Sequence, residues 1–486
     1  YNKSMLIIMK KYSRIIFPTI FIMMAFSLPV CSADAPELGD PYSQTMSLKT
    51  EKIIGFSSYK RLQKYNQINN NPLISSYISY LGNKLSRNIM DDDRQYTFFV
   101  VQSDQVNAFA VPGGYIGINA GLITLTENEA QLAGVVAHEI SHVKLRHSAE
   151  MIANASMNNI PMWAGIIAGI FAGNANASLA ALRLGLGQSA QQNINLIREN
   201  EVEADDFGIE IMTRSNYDLQ EMANLFRNMG NATGEIQREL SYLSTHPMYE
   251  NRISHIQNKS KSQISPIKNS TKDYSFIKTI LEVDSISDIN NSLKNIHNDS
   301  LLNTYKRSLL YYKKSDYKKA QKEIMKIYNA NSNNLYIAIL YAKILAGQNK
   351  LDEGLNVLNN IKNIYPHNSI VSFTISEILI ENNLNLSYAE KLVMSLEDYY
   401  KMNPDFLRLA SKLHTLRNNK YEAAISLSEY YELLDNIDLA VEVLDNSIRS
   451  EKMNATQKRI LLSKKNRIIC DNPRRLQPLF GEKDCY

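Results

Sequence analysis

The chain has 486 residues, enough for roughly two to four domains with a sizeable core. Apolar residues make up 44% and charged residues 21%, which excludes wholesale disorder, a collagen-like chain and a polytopic membrane protein. The formal charge is +4, all of it accounted for by Lys3, Lys10, Lys11 and Arg14, so the balanced remainder gives no electrostatic reason to expect nucleic acid or an anionic membrane as the main partner.

Basic residues at 10–14 precede an apolar run at 15–30, and Cys31-Ser32-Ala33 offers small residues for cleavage. This pattern predicts a secretory signal peptide over residues 1–33, with Met9 as a candidate natural start. A membrane anchor is the competing reading, but a run broken by Pro18 and Pro29 is short for a span of about 20 residues. Export implies an oxidising compartment, in which Cys470 and Cys485 are expected to form a disulfide that staples the C-terminal tail.

Past a polar lead-in, Leu73, Ile74, Ile78, Leu81 and Leu85 recur at helical spacing and predict an amphipathic helix ending near residue 92. Residues 96–102 and 109–123 are rich in β-branched and aromatic side chains, and Pro112-Gly113-Gly114 interrupts them, so they predict strands joined by a turn. Thr126 is the expected N-cap of the next helix, with Glu127 and Glu129 in its first turn and HEISH further along it. Residues 161–188, dominated by Ala, Gly, Ile and Leu, predict a close-packed helical hairpin; a mobile flap over a cleft, or a loop making peripheral contact with a membrane, is the alternative. A polar-faced helix over 189–213 carries ENEVEADDFG, and a Ser/Lys/Asn-rich stretch at 259–274 resembles an interdomain linker.

The remainder reads as wholly helical and repetitive. Ala320 and Gly354 lie 34 residues apart and Ala389 lies 35 further on, while Ser308, Ala342 and Ser428 each stand 12 before another small residue. That period predicts tetratricopeptide repeats over 296–453, preceded by a linker and connecting helix at 263–295 and followed by a C-terminal cap at 454–486. Met402-Asn403-Pro404 and the distance from Ala389 to Ala440 predict an irregular helix that interrupts the register.

The chemistry is carried by HEISH. His138 and His142 are four residues apart on one predicted helix, so both imidazoles leave the same face and can share a metal ion. Glu139, one step round, is placed to take a proton from metal-bound water and pass it to a leaving amine. A catalytic zinc wants a third protein ligand and an open position. His147, nine residues from His138, falls half a turn off the ligand face and reads as a solvated residue or a support to a ligand. Glu201 is the better third ligand, with Asp205 one turn on to accept a ligand histidine's free N–H and Glu203 turned outward.

HEISH, ENEVEADDFG, NAFAVPGGYI and STHPMYENRI together resemble the exported zinc metalloendopeptidases related to the CAAX prenyl protease. The resemblance implies one Zn2+ held by His138, His142 and Glu201, with Glu139 as general base and Asp205 as support. The added signal peptide and repeats are most like those members of the family that work in the Gram-negative periplasm. They imply quality control of outer-membrane β-barrel proteins, degrading misassembled ones and assisting assembly, with the β-barrel assembly machinery as partner. Asn107, Ala108 and Phe109 then read either as an edge strand that pairs with substrate or as part of a core hairpin. His246 has three readings: it stabilises the oxyanion, occupies the open metal position and keeps the enzyme latent, or is a core or capping histidine. The expected molecule is mainly α: a zincin-like metallopeptidase domain of helices and a small β-sheet over 34–262, then an α-helical repeat domain that docks protein clients. The rival class is a chaperone or assembly adaptor whose metal is structural.

Overall fold

The computed structural model describes residues 46–89, 94–154, 190–231, 242–248, 251–263, 271–451 and 453–472. The expected signal peptide, the small-residue hairpin at 161–188 and Cys485 lie outside the described residues; Cys470 is disulfide-bonded.

The polar lead-in contains a helix that its composition conceals. Helix α1 (Leu48–Lys64) buries Ile54, Tyr59 and Leu62, and its backbone runs so close to the Pro112 carbonyl that a Cβ on Gly55 would lie 2.2 Å from that oxygen. Helix α2 (Pro72–Ser86) starts where Asn71 accepts from the Leu73 N–H and Pro72 supplies a preset φ, and it buries the predicted Leu73, Ile74, Ile78, Leu81 and Leu85. It ends at a short 3-10 turn over Arg87–Ile89.

Three strands follow: β1 (Thr97–Val101), β2 (Ala108–Val111) and β3 (Tyr115–Asn119). Their order is β1-β3-β2, with β1 parallel and β2 antiparallel to β3, which leaves β2 on an edge. The β2–β3 turn uses Gly113 and Gly114 at φ +82° and +85°, conformations that residues with a Cβ rarely adopt. Residues 120–123, predicted as strand, instead begin helix α3 (Ala120–Leu125). The sheet cannot continue because Gly121 donates its N–H to the Ser103 carbonyl and passes so close to Asp104 that a Cβ would lie 2.0 Å from its carbonyl oxygen.

Helix α4 (Glu129–Lys144) is capped by Asn128, which accepts from the Gln131 N–H at 3.0 Å. The expected cap, Thr126, closes α3 instead, its hydroxyl donating to the Ile123 carbonyl at 2.8 Å. Nearly all of α4 is buried, because α2, the sheet, α6 (Ala190–Arg214) and α7 (Leu219–Gly230) surround it. Glu129 anchors its first turn by accepting from Tyr77 at 3.1 Å and Tyr217 at 2.6 Å. Short helices α5 (His147–Asn154), α8 (Tyr242–Thr245) and α9 (Arg252–Ser260) complete this half.

Helix α10 (Lys272–Ser285) joins the two halves: the Tyr274 hydroxyl reaches the Thr126 carbonyl at 2.5 Å, and Phe276 stacks on Tyr336 at 4.9 Å. Beyond the short α11 (Ile289–Lys294), ten helices alternate. Those beginning at 301, 335, 369, 404 and 437 (α12, α14, α16, α18 and α20) are followed by those beginning at 317, 351, 386, 420 and 455 (α13, α15, α17, α19 and α21), in steps of 33 to 35 residues. Two of the 12-residue offsets are contacts within pairs: Ser308 Oγ donates to the Ala320 carbonyl at 2.9 Å, and a Cβ on Gly354 would sit 3.0 Å from the Ala342 carbonyl; Ser428 and Ala440 instead lie on the facing helices of consecutive pairs. Left-handed Ser315, Asn349, Asn383 and Asn418 make the turn inside successive pairs. The expected irregular helix is absent from this array. Pro404 starts an ordinary helix capped by Asn403, and Ser411 Oγ to the Ala423 carbonyl at 3.2 Å repeats the Ser308–Ala320 contact. Ala440 lies on the first helix of the fifth pair whereas Ala389 lies on the second helix of the third, so their separation spans different positions of one unbroken period.

The repeat array folds back on the first half. The Tyr59 hydroxyl donates to the Met402 carbonyl at 2.9 Å, and Asn403 Nδ2 donates to the Asn70 carbonyl at 2.9 Å. Among the described residues, no helix is long and apolar enough to cross a membrane.

Candidate metal centre

Helix α4 presents His138 and His142 on the face turned toward α6, from which Glu201 projects; the segment after α8 brings His246 to the same point. One ligand-capable atom from each of these four residues lies within 4.8 Å of every other. His138 Nε2 is 3.0 Å from His142 Nε2 and 3.4 Å from Glu201 Oε2, His142 Nε2 is 3.4 Å from Glu201 Oε1, and His246 Nδ1 is 2.9 Å from Glu201 Oε1. Donors bonded to one tetrahedral zinc at about 2.0–2.1 Å would lie roughly 3.4 Å apart, so the spacing suits a shared ion.

The surrounding contacts orient the rings accordingly. Asp205 Oδ1 lies 3.0 Å from His138 Nδ1, in position to accept its proton and leave the Nε2 lone pair facing the centre. Arg252, the first residue of α9, grips Asp205 with Nε at 2.7 Å and Nη2 at 2.9 Å, while its Nη1 reaches Glu201 Oε2 at 2.8 Å. Its guanidinium also lies over Phe226, 4.9 Å from the ring centroid. Two carboxylates on one face of α6 are therefore bridged by a single buried arginine, which offsets one of their two charges, and α9 is tied to the site.

Burial depresses His142 to about 3, helped by the His138 and His246 rings, so it stays a neutral imidazole with a lone pair to give. Burial would depress His138 too, but the Glu201 and Asp205 carboxylates outweigh it and push the ring up to about 9. A proton and a cation then compete for the same nitrogen. Burial works against ionisation of Glu201, yet the His246 and His138 rings hold its carboxyl well below the usual carboxylate range.

Glu139 is 1% exposed and lies beside the four residues, its Oε1 3.4 Å from His246 Nε2. Burial raises its carboxyl above the ordinary range against the pull of the His246 and His138 rings, which favours a group able to hold a proton in transit. Ring stacking on Tyr242, at 4.6 Å between centroids, helps fix His246. Glu203 is exposed as expected.

Sequence reasoning placed His138, Glu139, His142, Glu201, Asp205 and His246, and all six meet. It missed Arg252, although the residue stands in the quoted STHPMYENRI. The available signal was electrostatic: two inward carboxylates on one turn of a buried helix require a cation. His147 is buried, with Nδ1 2.8 Å from His142 Nδ1. A continuous helix would carry His147 half a turn off the ligand face, but α4 stops at Lys144 and Arg146, at φ +56°, turns the chain back. Asn107 hydrogen-bonds inward, its carbonyl accepting from the Asn119 N–H at 2.9 Å, so strand alternation turns the backbone polar groups of Ala108 and Ala110 away from β3, to the side of β2 that pairs with no other strand among the described residues.

A family model described as Peptidase family M48 matches residues 73–260. The chain is 26% identical to the beta-barrel assembly-enhancing protease of Escherichia coli strain K12 over 88% of its own length and 89% of that protein's. It is 29% identical to the protein of the same name from Yersinia pestis, covering 67% and 69% of the two chains. It is 28% identical to the mitochondrial metalloendopeptidase OMA1 of Schizosaccharomyces pombe, covering 44% and 61%.

Proposed function

From a chain that carries a peptidase family M48 domain and is a metalloendopeptidase, we propose a zinc-dependent endopeptidase of the Gram-negative periplasm that degrades misassembled outer-membrane β-barrel proteins. The observation that carries the chemical part is the convergence of His138, His142, Glu201 and His246 within 4.8 Å, with buried Glu139 beside them. The cellular part draws on the relatives named for β-barrel assembly.

In this reading His138, His142 and Glu201 hold the ion, which when bound polarises the scissile carbonyl and acidifies water. Glu139 takes the proton from the attacking water and delivers it to the departing amine; its burial suits both halves of the task. Asp205 keeps His138 in the ligand tautomer, and Arg252 holds Asp205 and Glu201 in register. Asn107, Ala108 and Phe109 lead into β2, the outer strand among the described residues, where half-buried Ala110 turns its backbone groups away from β3 toward a peptide held straight. The helix pairs are tetratricopeptide repeats that dock protein clients and the β-barrel assembly machinery, because stacked pairs build an extended concave surface.

His246 is a latch in this scheme. Its Nδ1 lies 2.9 Å from Glu201 Oε1 and 3.3 Å from His138 Nε2, which puts the ring where an open metal position would receive water. His246→Ala is therefore expected to speed cleavage of an unfolded β-barrel protein, about tenfold for every 1.4 kcal/mol by which the latch favours the closed state. The assay compares wild type and variant with and without a zinc chelator. Faster, chelator-sensitive cleavage supports the latch and the metallopeptidase together; cleavage lost in the variant contradicts the latch, and cleavage indifferent to chelator contradicts the metal.

A further inference from the structure

The two histidines of α4 are backed in different ways. Behind His138 stands Asp205, itself gripped by Arg252. Behind His142, among the described residues, stands another imidazole: His142 Nδ1 lies 2.8 Å from His147 Nδ1. Two ring nitrogens at that distance share one proton, so one ring donates and the other accepts.

Which ring donates follows from the centre. His142 keeps its Nε2 lone pair for the metal only if its proton sits on Nδ1, so His142 donates and His147 accepts. His147 must then carry its own proton on Nε2, and Nε2 lies 3.4 Å from Glu203 Oε2 on α6. The local fold is organised to deliver this ring. Arg94 Nη1 closes the end of α4 at the Val143 and Lys144 carbonyls, 2.7 and 2.9 Å away, and buried Glu51 holds Arg146 at 2.7 Å through the left-handed turn. His147, 3% exposed, is thereby returned to the side of α4 that carries His142.

We propose that His147 is a positioning residue: it accepts the Nδ1 proton of His142, fixes that ring as the tautomer whose Nε2 faces the metal, and is itself oriented by Glu203. This rests on the metal reading above. His138 and His142 would thus be held for a metal by different means, one by a carboxylate paired with arginine and the other by a neutral imidazole reaching toward an exposed carboxylate.

The test uses full-length wild type, His147→Phe, which fills the space without an acceptor, and His147→Asn, whose amide oxygen can accept the same proton. Zinc affinity is measured by competition with a chelating dye, and the cobalt(II)-substituted proteins are compared by visible spectroscopy. His147→Phe is expected to weaken zinc by about 10–100-fold and alter the cobalt spectrum, with His147→Asn restoring affinity to within about threefold of wild type. A His147→Phe protein with wild-type affinity and spectrum would overturn the inference, whether or not the metal-free protein melts earlier. So would equal losses in both variants. A wild-type protein that takes up no metal would instead overturn the site reading itself.

Discussion

Glu139→Gln should retain its metal and lose peptide hydrolysis, with kcat falling by about 10²–10⁴-fold, the usual contribution of a positioned proton carrier. Glutamine has the size of glutamate but cannot take the water's proton. Glu139 has its Oε1 3.4 Å from His246 Nε2 and lies outside the group His138, His142, Glu201 and His246, so the substitution should leave the metal donors intact. Casein cleavage and metal content are measured on both proteins. Equal, negligible cleavage by wild type and variant, each with full metal, together with no cleavage released by His246→Ala, would contradict the peptidase assignment and favour an assembly adaptor with a structural ion.

Arg252→Met is expected to destabilise the folded chain by about 3–5 kcal/mol, the range for removing one partner from a buried ionic network. Methionine preserves much of the side-chain volume, so the effect isolates charge. Without the guanidinium, Asp205 and Glu201, 1% and 2% exposed, are left with only the His138 ring between them to offset their charge. Burial already opposes ionisation of Asp205, and Arg252 is the principal influence that holds its carboxyl below the usual range. Denaturant unfolding of the metal-free protein measures the loss, and adding Asp205→Asn should recover part of it because one unpaired carboxylate disappears. A change under about 1 kcal/mol would show that the arginine is dispensable to the network.

The residues of the candidate site were legible from identity and spacing, since i,i+4 histidines on a helix and a distant acidic pair obey fixed geometry. What was hidden depended on chain reversals and on charge balance. The left-handed turn at Arg146 redirected His147, and no periodicity announces such a turn when glycine is absent. Arg252 sits on a different helix from the carboxylates it bridges, so only the need to compensate buried charge pointed to it. Helix α1 escaped notice because its mean composition is polar although Ile54, Tyr59 and Leu62 pack inward. In the second half, small residues revealed the period, but Ala389 and Ala440 occupy different positions of it and were compared as if equivalent. The capping asparagines Asn334, Asn368 and Asn403, which recur at the start of the first helix in three successive pairs, were the clearer marker.

The central claim is that α4 and α6 bring two imidazoles and one carboxylate to a single ion. An anomalous difference map recorded at the zinc edge from crystals of the purified protein tests it most directly. One peak about 2.0–2.2 Å from His138 Nε2, His142 Nε2 and a Glu201 carboxylate oxygen is predicted. A zinc peak elsewhere with none at this point, or a Glu201 side chain turned away from both rings, would contradict it.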